Sequence, residues 1–376
     1  MYIPQAQLDN LHRLLTPKKA VIIYGPRRCG KTTLLEHFRQ EIKEDCLFVT
    51  GEDINVHDYL SSQSVEKLKS FVGKRKIIII DEAQKIKNIG LNLKLILDHV
   101  PKVKIIASGS SSFDLASQVG EPLTGRKFTL KMFPLAQLEL KHIENQAESA
   151  AHLEERLIYG SYPEVVLMED NTSRKTYLRE LVSSYLYKDI LELDGLRHSD
   201  KLIRLLQLLS FQIGKEISYD ELGRQLGMSK NTVDRYLDLL EKAFVVFKLS
   251  GFSRNLRKEV SKNSRFFFYD IGVRNALVNN FNPLSLRNDI GMLWENYLII
   301  ERFKKQEYLN QQANNYFWRT YDQKEIDLIE ERDGKLYGYE MKWSEKKVKI
   351  QKEWLDTYKN AEYKLVNKKN YLDFIA

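Results

Sequence analysis

Apolar positions along this chain change period several times, and each change marks a boundary. Up to about residue 134, short β-branched runs alternate with helical patterns; the runs are Ala20-Val21-Ile22-Ile23-Tyr24, Ile77-Ile78-Ile79-Ile80 and Val103-Lys104-Ile105-Ile106-Ala107. Continuous apolar runs of this length predict strands buried on both faces, and their alternation with helices predicts a parallel α/β sheet. From 135 to 196 the pattern is helical, interrupted at Gly160-Ser161-Tyr162-Pro163, and predicts an α-helical lid packed on the first domain. Residues 197–260 predict a winged helix-turn-helix. Leu202, Leu205, Leu206 and Leu209 keep helical spacing, 218–227 is a capped helix with a Gly stop, and Met228-Ser229 is the turn. A second helix begins at Lys230, and Val245-Val246-Phe247-Lys248-Leu249 is the wing strand. Residues 261–376 return to mixed strands and helices.

The first apolar run leads directly into Gly25-Pro26-Arg27-Arg28-Cys29-Gly30-Lys31-Thr32, followed by Thr33 and a helical pattern. This is G-x-x-x-x-G-K-T between a strand and a helix, the context of a P-loop. The glycines let backbone N–H groups turn inward toward phosphate oxygens, and the helix start adds its positive dipole end. Residues 25–33 are therefore the expected ATP-binding segment, with Lys31 on the β- and γ-phosphates and the Thr32 hydroxyl on Mg²⁺.

The second run ends in Asp81-Glu82. Asp81 is expected in the Mg²⁺ shell, and Glu82 is placed to polarise the attacking water, which makes hydrolysis the expected reaction. The third run ends in Gly109 flanked by Ser108, Ser110, Ser111 and Ser112, any one of which could sense the γ-phosphate.

Charge adds a candidate partner. Of the net +8, a net +6 (14 Lys/Arg against 8 Asp/Glu) lies between residues 197 and 265. Lys230, Asn231, Thr232 and Arg235 cluster at the amino end of the second helix, where helix-turn-helix proteins touch base edges, so DNA is the expected partner. A wing used only for protein contacts is the alternative. No apolar stretch approaches the roughly 20 residues of a membrane span, and the N-terminus lacks a signal pattern. The two cysteines, Cys29 and Cys46, provide neither a disulfide framework nor a zinc site, so a reducing, cytoplasmic setting is expected.

Near the C-terminus, Glu340 and Lys342 are two apart on a predicted strand and share a face, while Asp327 lies on the preceding strand across a turn at Arg332-Asp333-Gly334. Two carboxylates and a lysine converging in this way can hold Mg²⁺ beside a phosphodiester. A buried helix beginning at Trp294 carries Glu295.

With these residues, the chain resembles bacterial and archaeal AAA-type ATPases that carry a C-terminal domain of unknown function and are related to archaeal STAND-like ATPases. The resemblance rests on Gly25 to Thr32, Asp81-Glu82, Gly109-Ser110-Ser111, Gly125-Arg126, Tyr162-Pro163, Tyr269-Asp270-Ile271-Gly272, Trp294-Glu295-Asn296, Asp327 and Glu340-Met341-Lys342. Gly160-Ser161-Tyr162-Pro163 departs mildly from the family's Gly-Gly-Tyr-Pro. The resemblance implies that Arg126 acts on the γ-phosphate in cis or from a neighbouring subunit of a homo-oligomer; a surface ion pair is the alternative. It also implies that residues 261–376 are similar to PD-(D/E)xK nucleases, with Glu295, Asp327 and Glu340 as metal ligands and Lys342 as catalytic cation. The expected protein is an ATP-hydrolysing, DNA-binding switch or motor with a nuclease-like domain. The alternatives are a regulatory ATPase that recruits protein partners and a nucleotide-gated DNA-binding regulator.

Overall fold

The computed structural model describes residues 2–110, 119–120, 122–186, 199–253, 264–320, 324–344 and 352–376. Ser111 and Ser112 lie outside the described residues, as do the junction before the first helix of the 197–260 segment and the loop after its wing strand. Two compact units emerge, Tyr2–Pro134 with Lys242–Phe244, and Leu135–Glu241 with Val245–Ala376.

In the first unit, β1 (Ala20–Tyr24), β2 (Cys46–Thr50), β3 (Ile77–Asp81), β4 (Lys104–Gly109) and β5 (Lys127–Lys131) form a parallel sheet in the order β2-β3-β4-β1-β5. Val21, Ile23, Ile77, Ile79 and Ile106 join one core cluster with Leu11, Leu34, Leu35 and Phe38 from two helices. Ile22, Ile78, Ile80 and Ile105 alternate to the other face and are equally buried, which is why the middles of these strands are apolar on both faces.

The second unit corrects two expected borders. Helices Gln137–Leu140, Gln146–Ala151, Leu153–Tyr159, Pro163–Leu167 and Asn171–Glu180 fill the predicted lid segment. Their polar ties, however, run to later parts of the chain. Gln137 N–H donates to Glu301 Oε2 (2.5 Å), the Asn275 amide donates to the carbonyls of Leu157 and Ile158, and Leu284 N–H donates to Glu154. Residues 135–186 thus share a unit with the C-terminal half of the chain.

The predicted border at residue 260 falls within one sheet. Its strands are β6 (Glu216–Ile217), β7 (Val246–Gly251), β8 (Ser264–Phe268), β9 (Asn314–Arg319), β10 (Glu325–Arg332), β11 (Lys335–Met341) and β12 (Ala361–Val366). Their order is β12-β11-β10-β9-β7-β8-β6. The expected wing strand, β7, pairs antiparallel with β8 on one side and parallel with β9 on the other, Ser250 opposite Tyr316 and Gly251 opposite Phe317. Periodicity identifies a strand but does not identify its neighbour.

Two recurrent motifs are explained here as structural. Asp270 is fully buried and caps helix Ile271–Leu277, accepting from Val273 N–H (3.0 Å) and from Ser161 N–H (2.7 Å) across the unit. Burial pushes its carboxyl up, and those N–H groups together with Lys304 act against the rise. Asn296, on the long helix Ile290–Tyr308, accepts from Phe268 N–H and donates to the Phe268 carbonyl, stitching that helix to β8. Its neighbour Trp294 is fully buried, so only Glu295 of Trp294-Glu295-Asn296 is left for chemistry.

A buried ion cluster locks the start of the same helix. Arg287 binds Asp289 through Nε and Nη2 (2.8 Å each), and Arg274 Nη1 donates to Asp289 Oδ2 (2.7 Å). Burial opposes ionisation, but the hydrogen bonds from Arg287 and the charges of Arg274 and Arg287 outweigh it and hold Asp289 at about 2. A carboxyl depressed in the fold stabilises it above its unfolded value near 4, and that contribution is lost as pH falls through the folded value. Asp289→Asn is therefore expected to cost about 2 kcal/mol at pH 7. Urea unfolding at a series of pH values should show the deficit shrinking below about pH 4.

Candidate nucleotide site and a buried acidic cluster

The loop after β1 passes through Arg28 (φ 64°) and Gly30 (φ 99°, ψ 20°) before helix Lys31–Glu41 begins. Position 30 calls for glycine. The backbone is left-handed, and a Cβ would lie 2.4 Å from Nε2 of Gln5, whose amide donates to the Gly30 carbonyl. The helix has no side-chain cap at Gly30, so its first N–H groups are left for an anion held in the loop. Lys31 is buried, with its ammonium on the Gly25 and Pro26 carbonyls (2.9 and 2.8 Å), which curls residues 25–30 around it. Cys29 is buried in the core, whereas Thr32 and Thr33 are exposed.

Asp81 stands at the carboxyl end of β3, with β4 between it and β1. Thr32 Oγ1 donates to its Oδ2 (2.6 Å), and its Oδ1 accepts from the Ser108 hydroxyl and from Glu82 N–H (3.1 Å). Ser108, opposite Ile23 on β1, reaches Asp81 from the intervening strand. Glu82 takes a left-handed backbone (φ 50°), and Gln84 donates to its Oε2 (2.5 Å) and to Ser110 Oγ (3.1 Å). Gln84 was not singled out from the sequence, where nothing but its position two residues past Glu82 pointed to it.

The donor set fits a hard divalent ion. One hydroxyl and one carboxylate touch at the sheet's carboxyl edge, and Mg²⁺ on a nucleotide takes few protein ligands, the rest being phosphates and water.

Arg126 lies elsewhere. Its carbonyl accepts from Ala20 N–H, and Ala20 pairs with Lys127, so it marks the amino ends of the strands. The loop leaves β1 at Tyr24, roughly 13 Å further along. Its guanidinium pairs with Asp98 (3.0 Å) at the surface. The in-cis role suggested by resemblance is thus not what this geometry offers, because Arg126 sits at the opposite edge of the sheet.

In the second unit, the sheet assembles the acidic residues expected there. The β9–β10 register slips between Ile326 and Ile329, and this bulge carries Asp327. Asp327 Oδ2 accepts from Met341 N–H (2.7 Å). Lys342, just past β11, pairs with Glu340 Oε1 (2.5 Å) and stands 3.9 Å from Asp327. Burial and the Glu340 charge raise Asp327 to about 7, against the pull of Lys342. Burial, reinforced by the charge of Asp327, also holds Glu295 well above the usual range. Sequence reasoning missed Arg265. It belongs to β8, is buried, and pairs with Glu295 (3.6 Å) and Glu325 (2.7 Å). A mid-strand arginine in a Phe-rich run gives no sign of its partner.

Glu295 Oε1 and Glu340 Oε2 find no hydrogen-bond partner among the described residues. Among the described residues, however, no three His, Cys, Asp or Glu side chains are disposed to hold a metal ion. The cation between Asp327 and Glu340 is Lys342 itself. This set does not fit the expected Glu295–Asp327–Glu340 metal centre, and no cleavage step follows from it.

In the segment expected to be a helix-turn-helix, helices Tyr219–Leu226 and Lys230–Lys242 flank Gly227 (φ 59°), with Ser229 Oγ accepting from Thr232 N–H. Val233, Tyr236, Leu237 and Leu240 face inward. Lys230, Asn231 and Arg235 are exposed on the other side and Thr232 is half-buried; Lys230 forms a loose exposed pair with Asp220 (3.4 Å).

Family models match three successive stretches of the chain. Residues 17–141 match the model of an AAA domain, 150–284 that of a domain of unknown function (DUF8612), and 290–372 that of another (DUF4143). An uncharacterized protein of Mycobacterium tuberculosis is 26% identical over 337 residues, covering 88% of this chain and 72% of that one. An uncharacterized protein of Methanocaldococcus jannaschii is 25% identical over 334 residues, covering 84% and 73%. Among solved structures, a RuvB mutant from Thermotoga maritima aligns with TM-score 0.33 at 17% identity, over 65% of this chain and 90% of that one. A STAND protein with a tetratricopeptide repeat sensor from Pyrococcus horikoshii aligns with TM-score 0.31 at 14% identity, over 81% and 46%. Among the described residues, no helix is long and apolar enough to cross a membrane.

Proposed function

We propose that this chain is an ATP-hydrolysing switch of the AAA type. The observation that carries the reading is the Thr32–Asp81–Ser108 chain of hydrogen bonds, which joins the phosphate loop, the acidic strand and the strand between them at one edge of the sheet. Loop N–H groups and the Lys31 ammonium take the phosphates of ATP, and Thr32 with Asp81 holds its Mg²⁺. When bound, the ion supplies charge neutralisation across the β- and γ-phosphates. Glu82 orients a water and accepts its proton at the carboxylate as the water oxygen bonds to the γ-phosphorus and the bond from that phosphorus to the β–γ bridging oxygen breaks, releasing ADP and phosphate. Glu82→Gln keeps the shape and loses the base. ATP turnover is expected to fall about a hundredfold or more, while binding of a fluorescent ATP analogue persists. Equal turnover in wild type and Glu82→Gln would sink the reading.

A second reading places nucleic acid on the exposed face of helix Lys230–Lys242, favoured by the outward side chains of Lys230, Asn231 and Arg235 and by the local excess of positive charge. Binding of duplex DNA, followed by fluorescence anisotropy, is expected to weaken with salt. Each of Lys230→Ala and Arg235→Ala should reduce the log–log salt slope by about 1. Incubated with Mg²⁺ or Mn²⁺, the same DNA is expected to stay intact, since the Lys342 ammonium already takes the place of a cation between Asp327 and Glu340. Cleavage abolished by Asp327→Ala would restore the nuclease reading.

A further inference from the structure

We propose that Gln84 is a positioning residue, relaying the state of Ser110 at the end of β4 to the carboxylate of Glu82. The inference rests on the ATPase reading and deepens it. The backbone of Glu82 is fixed from three sides. Its N–H donates to Asp81 Oδ1 and Ser108 Oγ (3.1 and 3.3 Å), its carbonyl accepts from Lys85 N–H, and Gly51 packs so closely that a Cβ there would lie 2.3 Å from that carbonyl. Among the described residues, its side chain is held by Gln84, on the short 3₁₀ turn Ala83–Lys85.

The Gln84 amide has two protons; one goes to Glu82 Oε2 and the other to Ser110 Oγ. Ser108 is committed to Asp81, which leaves Ser110 as the described serine beyond β4 joined to the Glu82 side chain. As acceptor from Gln84, the Ser110 hydroxyl keeps its own proton to donate, which suits a γ-phosphate oxygen. Loss of that phosphate would alter the hydroxyl's orientation and, through the shared amide, the aim of Glu82. An error of about 1 Å in such aim can cost about a hundredfold in rate.

The test uses the full chain and ATP. Phosphate release, affinity for a fluorescent ATP analogue and thermal midpoint are compared for wild type, Gln84→Glu, Gln84→Met, Ser110→Ala and the Gln84→Met/Ser110→Ala double variant. Gln84→Glu keeps the volume and loses both donors; Gln84→Met removes the polar group altogether. Both are expected to lower kcat about ten- to a hundredfold, with nucleotide affinity within about threefold and the midpoint unchanged. The double variant should be no slower than the worse single one, because both substitutions cut one relay. Wild-type turnover in either Gln84 variant overturns the relay while the ATPase reading stands. Multiplicative losses in the double variant, or a kcat loss that follows the thermal midpoint, also overturn it. Wild-type turnover no greater than that of Glu82→Gln removes the ATPase reading and the relay with it.

Discussion

Asp81→Asn is expected to reduce ATP turnover about a thousandfold, more than any other single exchange at this edge of the sheet. The carboxylate accepts from Thr32, Ser108 and Glu82 N–H at once. An amide in the same place has one accepting oxygen and turns an NH₂ group toward a hydroxyl or the main-chain N–H. Either orientation disrupts one arm, and the charge offered to Mg²⁺ is gone in both. The measurement is phosphate release across a range of Mg²⁺ concentrations. The variant should not recover at high Mg²⁺, because the hydroxyl of Thr32 and the backbone of Glu82 are displaced as well. Recovery to near wild-type rate would mean that Asp81 only holds the ion.

The largest expected effect on stability comes from one methyl group. Gly160 has φ 74° and ψ −158°, a region nearly closed to side chains. A Cβ there would stand 2.1 and 2.5 Å from the two oxygens of Asp270. That carboxylate cannot retreat without giving up Ser161 N–H and Val273 N–H. Gly160→Ala should therefore cost about 4 kcal/mol, combining backbone strain with loss of a buried hydrogen-bonded acid. Gly291→Ala is the matched control. It lies in helix Ile290–Tyr308 with open space around its Cβ, and a neutral to slightly stabilising change is expected. Urea unfolding of the two variants against wild type separates a steric demand at Gly160 from a general intolerance of alanine.

Strands buried on both faces announce themselves, and β1, β3 and β4 were legible by their continuous runs of buried apolar residues. β2 and β5 were not, since they form the edges of the sheet and Cys46–Thr50 and Lys127–Lys131 are only partly covered. The phosphate loop was legible because a short motif has one backbone solution between a strand and a helix. Glu340 and Lys342 were legible as a pair because a strand has period two. What sequence could not supply was partnership at long range. Arg265 meets Glu295 and Glu325 through pairings of β7 with β8 and β9 that no local pattern encodes. The in-cis role of Arg126 fails for the same reason, since strand direction puts it at the far edge of its own sheet.

The pairing of β7 with β9 also limits how this chain can be divided for expression or fusion. A fragment ending near residue 260 would lose both neighbours of β7, β8 and β9, and leave its main-chain donors and acceptors bare on two sides. Exposed edges of that kind recruit other strands. The complementary fragment would carry the same defect along β9. Co-expressed halves would then find each other through that seam, whereas each alone would go to the pellet.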